Sequence, residues 1–443
     1  MLAKTLIRGG TLVTLGSPCQ VLFRHDLLVE GDRIGRIGPS GALGEAAGRE
    51  IDARGKVVLP GLVNAHMHFY STLARGLWKA EKSRDFEAVL KNLWWRLDKK
   101  LLLDDVELSA EVALLDAIRR GTTTLVDHHA SPGAVRGSLD RIARAVRRTG
   151  LRACLCYEVS DRDGENVARE GLEENAEFAS GYAGGKDPQL RALFGLHAAF
   201  TLSDKTLDRA AELGRALGVG FHVHVAEDAL DVRENLSRHG RTPVARLLEH
   251  GLLGEGSIAA HAVHVDEDDA GMLARTNTFV AHNPQSNLNN AVGIADVLSL
   301  AGRGVRVGLG TDAMTVSMLE ELRVGLFAQH LRQKDPSCAF AELTSALFER
   351  NPELASRLFG LPLGTLKEGG AADLILVDYD PPTPLDETTV LGHLVFGISQ
   401  AVVDTTICGG RILMEGKRLD PALGEAEVAL RARERARELW KRF

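Results

Sequence analysis

The chain alternates between short apolar segments and longer amphipathic ones, and this alternation constrains its fold more than any other feature. The apolar segments are rich in Val, Leu, Phe and Thr, as is typical of buried strands. Two of the amphipathic stretches end at Gly121 and Gly218, and a glycine at that point commonly stops a helix. The segments predicted as strands are KVVLPGLVNAH, GTTTLVDHH, RACLCYEVSD, LRALFGLHA, GFHVHVAE, SIAAHAV, TFVAHNP and VRVGLGTD.

Eight successive strand–helix units predict an α/β fold, a closed parallel (β/α)8 TIM barrel, over residues 58–364. The alternative is an open, doubly wound sheet. Such a sheet normally has fewer units and a glycine-rich turn that binds phosphate. Neither a GxGxxG motif nor a P-loop occurs where that fold needs one, so the sequence favours the barrel.

The two ends of the chain have a different character from the middle. Residues 1–57 and 365–421 show short alternating apolar patterns punctuated by Gly and Pro, which indicate β-strands and turns. Because neither end alone can bury much core, we expect them to pair into one small composite β-sandwich. Residues 422–443 carry mixed charges at helical spacing and predict a C-terminal helix packed on the surface.

Composition limits the classes of partner. The 443 residues include 53 Lys and Arg against 60 Asp and Glu, a net charge of −7 that is spread along the chain. No basic face for a nucleic acid is evident, and no apolar run reaches the roughly 18 residues that span a membrane. The N-terminal residues show no secretory segment, and five scattered cysteines contain no CxxC pair. We therefore expect a cytoplasmic protein without disulfides.

Histidines and carboxylates cluster where the predicted strands end. His66 and His68 stand two residues apart, so a strand directs both side chains to the same face. In a barrel of this type the C-terminal strand ends carry function, and ten of the fifteen histidines fall at six of those ends. Buried polar side chains are costly unless they are bonded, hydrated or coordinated, so this cluster predicts a metal site. The residues at the strand ends are His66, His68, Asp127, His128, His129, Glu158, His197, His222, His224, Glu227, His261, His264, His282, Asn283 and Asp312.

Five motifs carry a family resemblance. PGLVNAHMH, HVHVAE, AAHAVH, HNPQSN and LGTD, in this order, resemble the amidohydrolase superfamily and, more narrowly, its cyclic-deaminase and chlorohydrolase branch. The resemblance covers nearly the whole chain. LKNLWWRLD, DHHASP and FTLSD are further similar to the SsnA-type aminohydrolases, which genetic context links to selenium metabolism.

The resemblance implies one divalent metal held by His66, His68, His224 and Asp312. Three nitrogens and one carboxylate oxygen suit Zn²⁺, and Fe²⁺ accepts similar ligands. His222 lies on the same face of its strand as His224 and is the alternative ligand, but we expect it one layer deeper. Some members bridge two metals with a lysine on the fourth strand; the end of this chain's fourth strand has no lysine, which favours a single metal.

The resemblance also implies catalytic roles. Asp312 would take a proton from the attacking water, Glu227 would protonate a ring nitrogen, and His261 would hydrogen-bond the attacking oxygen. The substrate contacts predicted from position alone are His197, His129, Glu158 and Trp78.

Two of these contacts have alternatives. His128 and His129 alternate faces, so at most one of them points inward easily, and Glu158 could instead pair with Arg162.

The function that follows is a metal-dependent aminohydrolase that deaminates an aminated heterocycle of the purine, pterin or pyrimidine type. One alternative keeps the site but hydrolyses a cyclic amide or a carbon–halogen bond. Another is a catalytically silent, metal-bearing partner in a selenium-related pathway, although Glu227 and His261 would have no role there. Relatives of this architecture are often homodimers, so a homodimer is expected from the resemblance.

Overall fold

The structure is a computed structural model that describes residues 4–44, 48–78, 80–185 and 187–443. Residues 1–3 and 45–47 of the predicted terminal domain lie outside the described residues, as do Lys79 and Lys186 of the predicted barrel. The fold is α/β, and no described helix combines the length and apolar character that crossing a membrane requires.

Strands occupy both ends of the chain and recur through its middle. In chain order they are β1 (Lys4–Val13), β2 (Val21–Glu30), β3 (Arg33–Pro39), β4 (Arg49–Asp52), β5 (Lys56–Pro60), β6 (Leu62–His68), β7 (Thr122–Asp127), β8 (Arg152–Leu155), β9 (Leu190–Ala192), β10 (Phe194–Ala198), β11 (Phe221–Val225), β12 (Ile258–His261), β13 (Phe279–His282), β14 (Arg306–Leu309), β15 (Asp312–Ala313), β16 (Leu374–Asp378), β17 (Val402–Cys408), β18 (Arg411–Glu415) and β19 (Arg418–Leu419).

Helices fill most of the connections between the middle strands. They are α1 (Phe86–Val89), α2 (Trp95–Leu97), α3 (Leu103–Arg119), α4 (Ser138–Thr149), α5 (Glu165–Tyr182), α6 (Asp204–Leu217), α7 (Ala229–His239), α8 (Pro243–Glu249), α9 (Glu267–Arg275), α10 (Pro284–Asn289), α11 (Val297–Gly302), α12 (Met318–Gln333), α13 (Phe340–Ser345), α14 (Asn351–Phe359), α15 (Val390–Gly392) and α16 (Glu425–Arg442).

The middle strands form two five-stranded parallel sheets. One has the order β15-β6-β7-β8-β9 and the other the order β10-β11-β12-β13-β14. From β6 to β9 and from β10 to β14 each strand pairs with the next along the chain, as expected when a helix returns the chain to the same edge, and β15 pairs with β6. The C-terminal ends of the strands within each sheet therefore lie along one edge.

Two segments predicted as single strands are interrupted. LRALFGLHA divides at Leu193 into β9 and β10, and VRVGLGTD divides at Gly310 and Thr311 into β14 and β15. A side chain on Gly310 would lie 2.5 Å from Asn283 Oδ1 and 2.7 Å from the His66 carbonyl, so only glycine fits that approach. Each interrupted segment belongs to both sheets and links one to the other.

The first predicted strand, KVVLPGLVNAH, is also two strands. It breaks at Gly61, where a Cβ would lie 2.4 Å from Thr123 Oγ1. The part before the break, β5, pairs with β1 and β16 in a separate sheet, whereas β6 opens the parallel set. The chain thus passes from one sheet to the other within a single residue.

Both ends of the chain build that separate sheet. Its nine strands follow the order β19-β18-β17-β16-β5-β1-β2-β3, with β4 beside β1. Leu12 and Leu27 from the N-terminal part pack in one buried cluster with Leu374 and Ile407 from the C-terminal part. The sheet is therefore composite, as expected; its division into the two layers of a sandwich and the domain boundaries stay predictions.

The C-terminal helix α16 is anchored near the parallel sheets. Leu439 is fully buried, and the indole nitrogen of Trp440 donates to the Leu73 carbonyl at 2.8 Å. Arg96 donates to the Phe443 carbonyl at 2.8 Å, and its guanidinium lies 4.4 Å from the centre of the Phe443 ring. The helix therefore holds the loop after β6 and the segment before α3.

A buried ion pair joins the composite sheet to β8, and its removal should destabilise the protein. Arg152 and Asp373 are in contact and both nearly inaccessible, so Asp373→Ala leaves a buried guanidinium without its carboxylate. We expect a loss of about 3–5 kcal/mol in the free energy of unfolding, measured by urea denaturation followed by circular dichroism. Asp52→Ala, at the exposed pair with Arg54, is the control and should unfold like the wild type. Equal effects of the two substitutions would contradict the prediction.

Candidate active site

Imidazole and carboxylate side chains from separate strands converge at the C-terminal edge of the parallel sheets. His66 and His68 end β6, His224 lies in β11, His261 ends β12 and Asp312 begins β15. Two overlapping groups each bring their donor atoms within 4.8 Å of one another. The groups are His66, His68, His128 and His224, and His66, His224, His261 and Asp312.

Three of the six distances among four of these donor atoms are close to the edges of a tetrahedral metal site. His68 Nε2 lies 2.9 Å from Asp312 Oδ1, His66 Nε2 lies 3.2 Å from the same oxygen, and His224 Nε2 lies 3.2 Å from His68 Nε2. A tetrahedron whose corners lie 2.0–2.1 Å from Zn²⁺ has edges of about 3.3–3.4 Å. The three nitrogens and one oxygen therefore fit such an ion.

Further contacts orient the first two histidines. His68 donates from Nδ1 to the His128 carbonyl at 2.5 Å, which leaves Nε2 free to act as a ligand. His66 Nδ1 lies 2.8 Å from Nε2 of His222, a residue with no exposed surface. His222 thus lies below His66, away from the cleft, and His224 is closer to the cleft, in the arrangement that the sequence analysis preferred.

Burial and neighbouring charges set the protonation states of the cluster. Burial lowers the pKa of His66, His222 and His224, which favours neutral imidazoles. Burial alone would raise the pKa of Asp312, but hydrogen bonds from His66 and His68 hold it well below its usual range. Burial alone would lower the pKa of His68, but the hydrogen bond to Asp312 and the charges of Asp312, Glu158 and Asp127 together raise it to about 9, so a bound cation would displace a proton there.

Glu227 and His261 direct two proton-bearing groups toward one space. Burial, followed by the charge of Asp312, raises the pKa of Glu227 well above its usual value. His261 accepts from the Asn287 amide at Nδ1 over 2.8 Å, which puts its proton on Nε2. That Nε2 lies 3.5 Å from Glu227 Oε2 and has no hydrogen-bond partner among the described residues. The pair can supply a proton and a hydrogen bond to a bound molecule.

The backbone is strained where several of these side chains leave their strands. His261 has a φ of 78°, Asp312 a φ of 57° and Ala226, beside Glu227, a φ of 47°. Residues other than glycine seldom adopt this left-handed conformation, which costs on the order of 1–3 kcal/mol. Surrounding contacts must hold these positions, so the directions of the side chains are fixed by the fold.

A cleft opens over the cluster, and its walls are formed by residues from several strand ends and the loops that follow them. One wall is aromatic and apolar, and the other lining groups include five carboxyl groups and three imidazoles. The wall consists of Tyr70, Phe86, Leu90, Trp94, Trp95 and Phe200. The charged lining residues are Glu158, Arg162, Glu227, Asp228, Asp231 and Asp312.

Two of the predicted substrate contacts line this cleft. His197 Nε2 lies 3.4 Å from Glu158 Oε1, and His197 Nδ1 lies 2.7 Å from Thr201 Oγ1. Burial raises the pKa of Glu158 to about 7, although His68 and Arg162 oppose this rise. Both side chains are available to the edge of a ring.

The other two predicted contacts lie elsewhere. His129 is fully buried outside the cleft, with Nε2 2.9 Å from Ser131 Oγ, and it is His128 that points into the histidine cluster. The two adjacent residues face opposite sides, and the sequence did not indicate which one turns inward. Trp78 is 78% exposed and does not line the cleft. We therefore leave His129 and Trp78 out of the site.

Several cleft residues were missed by the sequence analysis. Ser286 donates to Asp312 and Asn290 donates to Glu227 at 3.2 Å; both belong to the segment after β13 that begins with HNPQSN. Trp94 and Trp95 line the cleft and belong to the LKNLWWRLD segment. From the sequence alone, a role in packing a helix explains them as well as a role in the cleft does. Arg162 follows Glu158 by four residues in a loop, and a loop carries no periodic signal.

Comparison with known proteins gives the family. The model of the amidohydrolase family matches residues 57–413, most of the chain. The chain belongs to the amidohydrolase family. This match confirms the superfamily resemblance. The protein is therefore a hydrolase that acts on carbon–nitrogen bonds. The narrower resemblance to SsnA-type aminohydrolases stays a prediction.

Relatives of this amidohydrolase match over nearly its full length. A 5-methylthioadenosine/S-adenosylhomocysteine deaminase of Pelotomaculum thermopropionicum is 33% identical and covers 100% of each chain. A 5'-deoxyadenosine deaminase of Methanosarcina mazei is 31% identical over 99% of each chain. An adenosine deaminase of Xanthomonas campestris, solved with bound zinc, shares the fold with a TM-score of 0.85 at 24% identity, covering 98% of this chain and 99% of its own.

Removal of the expected metal should lower the thermal stability of this amidohydrolase, because Asp312 and the buried imidazoles would lose the cation that they share. We expect a chelator to release about one divalent ion per chain and to lower the melting temperature, with recovery on addition of Zn²⁺. Elemental analysis and thermal unfolding measure both effects. His68→Asn should lose the ion, whereas His250→Asn, remote and paired with Asp208, should retain it. Full metal content in His68→Asn would contradict the assignment.

Proposed function

We propose that this amidohydrolase is a metal-dependent deaminase of an aminated nitrogen heterocycle. It replaces a ring-bound amine by water, so that the products are a ring carbonyl and ammonia. The observation that carries the proposal is the convergence of Glu227 and His261, two proton-bearing groups, beside a set of metal-ligand atoms. Among purine, pterin and pyrimidine rings, the names of the relatives support a purine.

The proposed ligands of the metal are His66, His68, His224 and Asp312, and the proposed ion is Zn²⁺, with Fe²⁺ as the alternative. The donor spacing and the ionised state of Asp312 support this set. When bound, the ion lowers the pKa of a coordinated water toward neutrality.

The side chains divide the proton transfers between them. Asp312 accepts the proton that the attacking water loses, and its Oδ2 is already held by Ser286. Glu227 gives its proton to the ring nitrogen next to the reacting carbon, which makes that carbon more electrophilic. As the ring carbonyl forms, Glu227 recovers a proton from the added hydroxyl, and Asp312 passes its proton to the amine, which leaves as ammonia. His261 donates from Nε2 to the attacking oxygen and stabilises the negative charge that develops there. His197 and Glu158 contact the edge of the ring.

We also propose that the two parallel sheets close into one (β/α)8 barrel. The chain continues directly from β9 into β10 across Leu193 and from β14 into β15 across Gly310 and Thr311. Backbone hydrogen bonds continue through both breaks, from Leu193 to Leu155 at 3.1 Å and from Thr311 to His66 at 3.0 Å. Closure brings the ends of all strands to one rim, where a single cleft can receive a substrate.

The experiment that tests the function measures ammonia release from purines, pterins, pyrimidines and their nucleosides. Purified protein of known metal content is compared with Asp312→Asn. We expect release from one ring class by the wild type and its loss in the variant, because the variant lacks both a ligand and a proton acceptor. Release of chloride from chlorinated rings, or ring opening of cyclic amides, would favour those alternatives. Silence of metal-loaded protein on every compound would contradict catalysis of this kind.

Glu227→Gln should separate proton donation from metal binding. We expect kcat to fall by about 10²–10⁴-fold, since an amide cannot deliver the proton that the ring nitrogen needs. The metal content should stay at the wild-type level, as measured by elemental analysis. Glu249→Gln changes a 60% exposed side chain and should keep full activity as the matched control. Wild-type turnover by Glu227→Gln on a good substrate would refute the assignment.

A further inference from the structure

Arg162 is the one arginine or lysine among the described residues that line the cleft, and carboxylates already surround it. Its Nη2 donates to Asp98, its Nε donates to Asp163 Oδ2 at 3.1 Å, and its Nη1 lies 3.9 Å from Glu158 Oε1. The side chain is 9% exposed. Three carboxylates thus face one guanidinium in a setting with little water.

Asp98 occupies the position that an incoming anion would need. It lies in the turn after α2, is almost fully buried and contacts the guanidinium directly. A guanidinium binds carboxylate or phosphate best through paired N–H groups, and here Asp98 and Asp163 take the Nη2 and Nε donors. A further anion would face Asp98 and Glu158 at close range and would lose its own hydration on entry.

The remaining charges of the cleft do not offset the repulsion between an incoming anion and these carboxylates. Apart from the imidazoles of the proposed metal site, the other ionisable lining side chains are carboxylates or the neutral His197, and the opposite wall is aromatic. The proposed metal is held among Asp312 and the imidazoles, and Glu158, 3.8 Å from His68 and 3.9 Å from Arg162, lies between that cluster and Arg162. The Arg162 end of the cleft therefore offers no free positive charge.

We propose that Asp98 is a specificity-determining residue that neutralises Arg162, so that the cleft takes heterocycles with an uncharged substituent and rejects those with a carboxylate or phosphate. This inference rests on the proposed deaminase function and names its substrate class. Glu158 Oε2 is buried without a hydrogen-bond partner among the described residues, and Oε1 is too far from Arg162 Nη1 for a direct bond. A hydroxyl group can donate to Glu158 and accept from Arg162. A hydroxylated, uncharged substituent could therefore bridge these two side chains.

The test compares two probes that differ in charge and lack the amine, so that neither is consumed. Purine riboside and its 5'-monophosphate are titrated into zinc-loaded protein by calorimetry. We expect the wild type to bind the uncharged riboside at least about tenfold more tightly, and Asp98→Asn to reduce this ratio by about tenfold through a gain for the monophosphate. Asp104→Asn, which removes the same charge from a side chain that is 66% exposed, is the matched control and should keep the wild-type ratio.

Equal affinities in the wild type, no binding of the riboside, or an unchanged ratio in folded Asp98→Asn would each overturn the proposal. If circular dichroism shows that Asp98→Asn does not fold, Arg162→Gln replaces it. The monophosphate should then bind no more weakly than to the wild type, because a neutralised arginine is not its receptor, and a selective loss would overturn the proposal. Charge selection without ammonia release from the corresponding aminopurine nucleosides would contradict the deaminase function and leave the charge selection standing.

Discussion

Removal of imidazole and carboxylate groups from water is the constraint on which this site depends. Burial favours neutral histidines, while Asp312 stays ionised because His66 and His68 donate to it. Such a group of side chains is stable only when every position is supported, as His222 supports His66 and the His128 carbonyl supports His68. The left-handed backbone at His261 and Asp312 belongs to the same arrangement, since local strain is tolerated only where neighbours enforce it.

The same constraint divides the cleft into two ends with different chemistry. At the floor, Glu227 is buried beside the negative Asp312, so it retains a proton. At the far end, Arg162 is matched by Asp98 and Asp163, so its charge is not available to a ligand. In the proposed function the first end transfers protons, and in the further proposal the second end selects ligands by charge. The protonation of Glu227 and the pairing of Arg162 both follow from the partial removal of these side chains from water. They differ because Glu227 lies beside a carboxylate, whereas Arg162 lies beside groups of opposite charge.

The sequence predicted the parts of the site that depend on local periodicity. Alternation along a strand puts His66 and His68 on one face, and the strand ends bring His224 and Asp312 to the same edge. The break at Gly310 was missed because it depends on close packing against Asn283 and His66, which are distant in the sequence. The choice between His128 and His129 depends on the chain direction just after β7, which has no pattern in the sequence. The contact of Asp98 with Arg162 joins residues 64 positions apart, and no local rule identifies such a pair.

The anchoring of α16 affects when the cleft can form during synthesis. Trp440 donates a hydrogen bond to the Leu73 carbonyl, near Tyr70 in the cleft wall, and Phe443 accepts one from Arg96, next to Trp95. The strand β5 that leads into β6 also pairs with β16, which is made more than 300 residues later. A ribosome must therefore synthesise the chain through α16 before the aromatic wall has all of these supports. Until then the histidines are present without the surroundings that organise them, and the nascent chain carries an unfinished metal site.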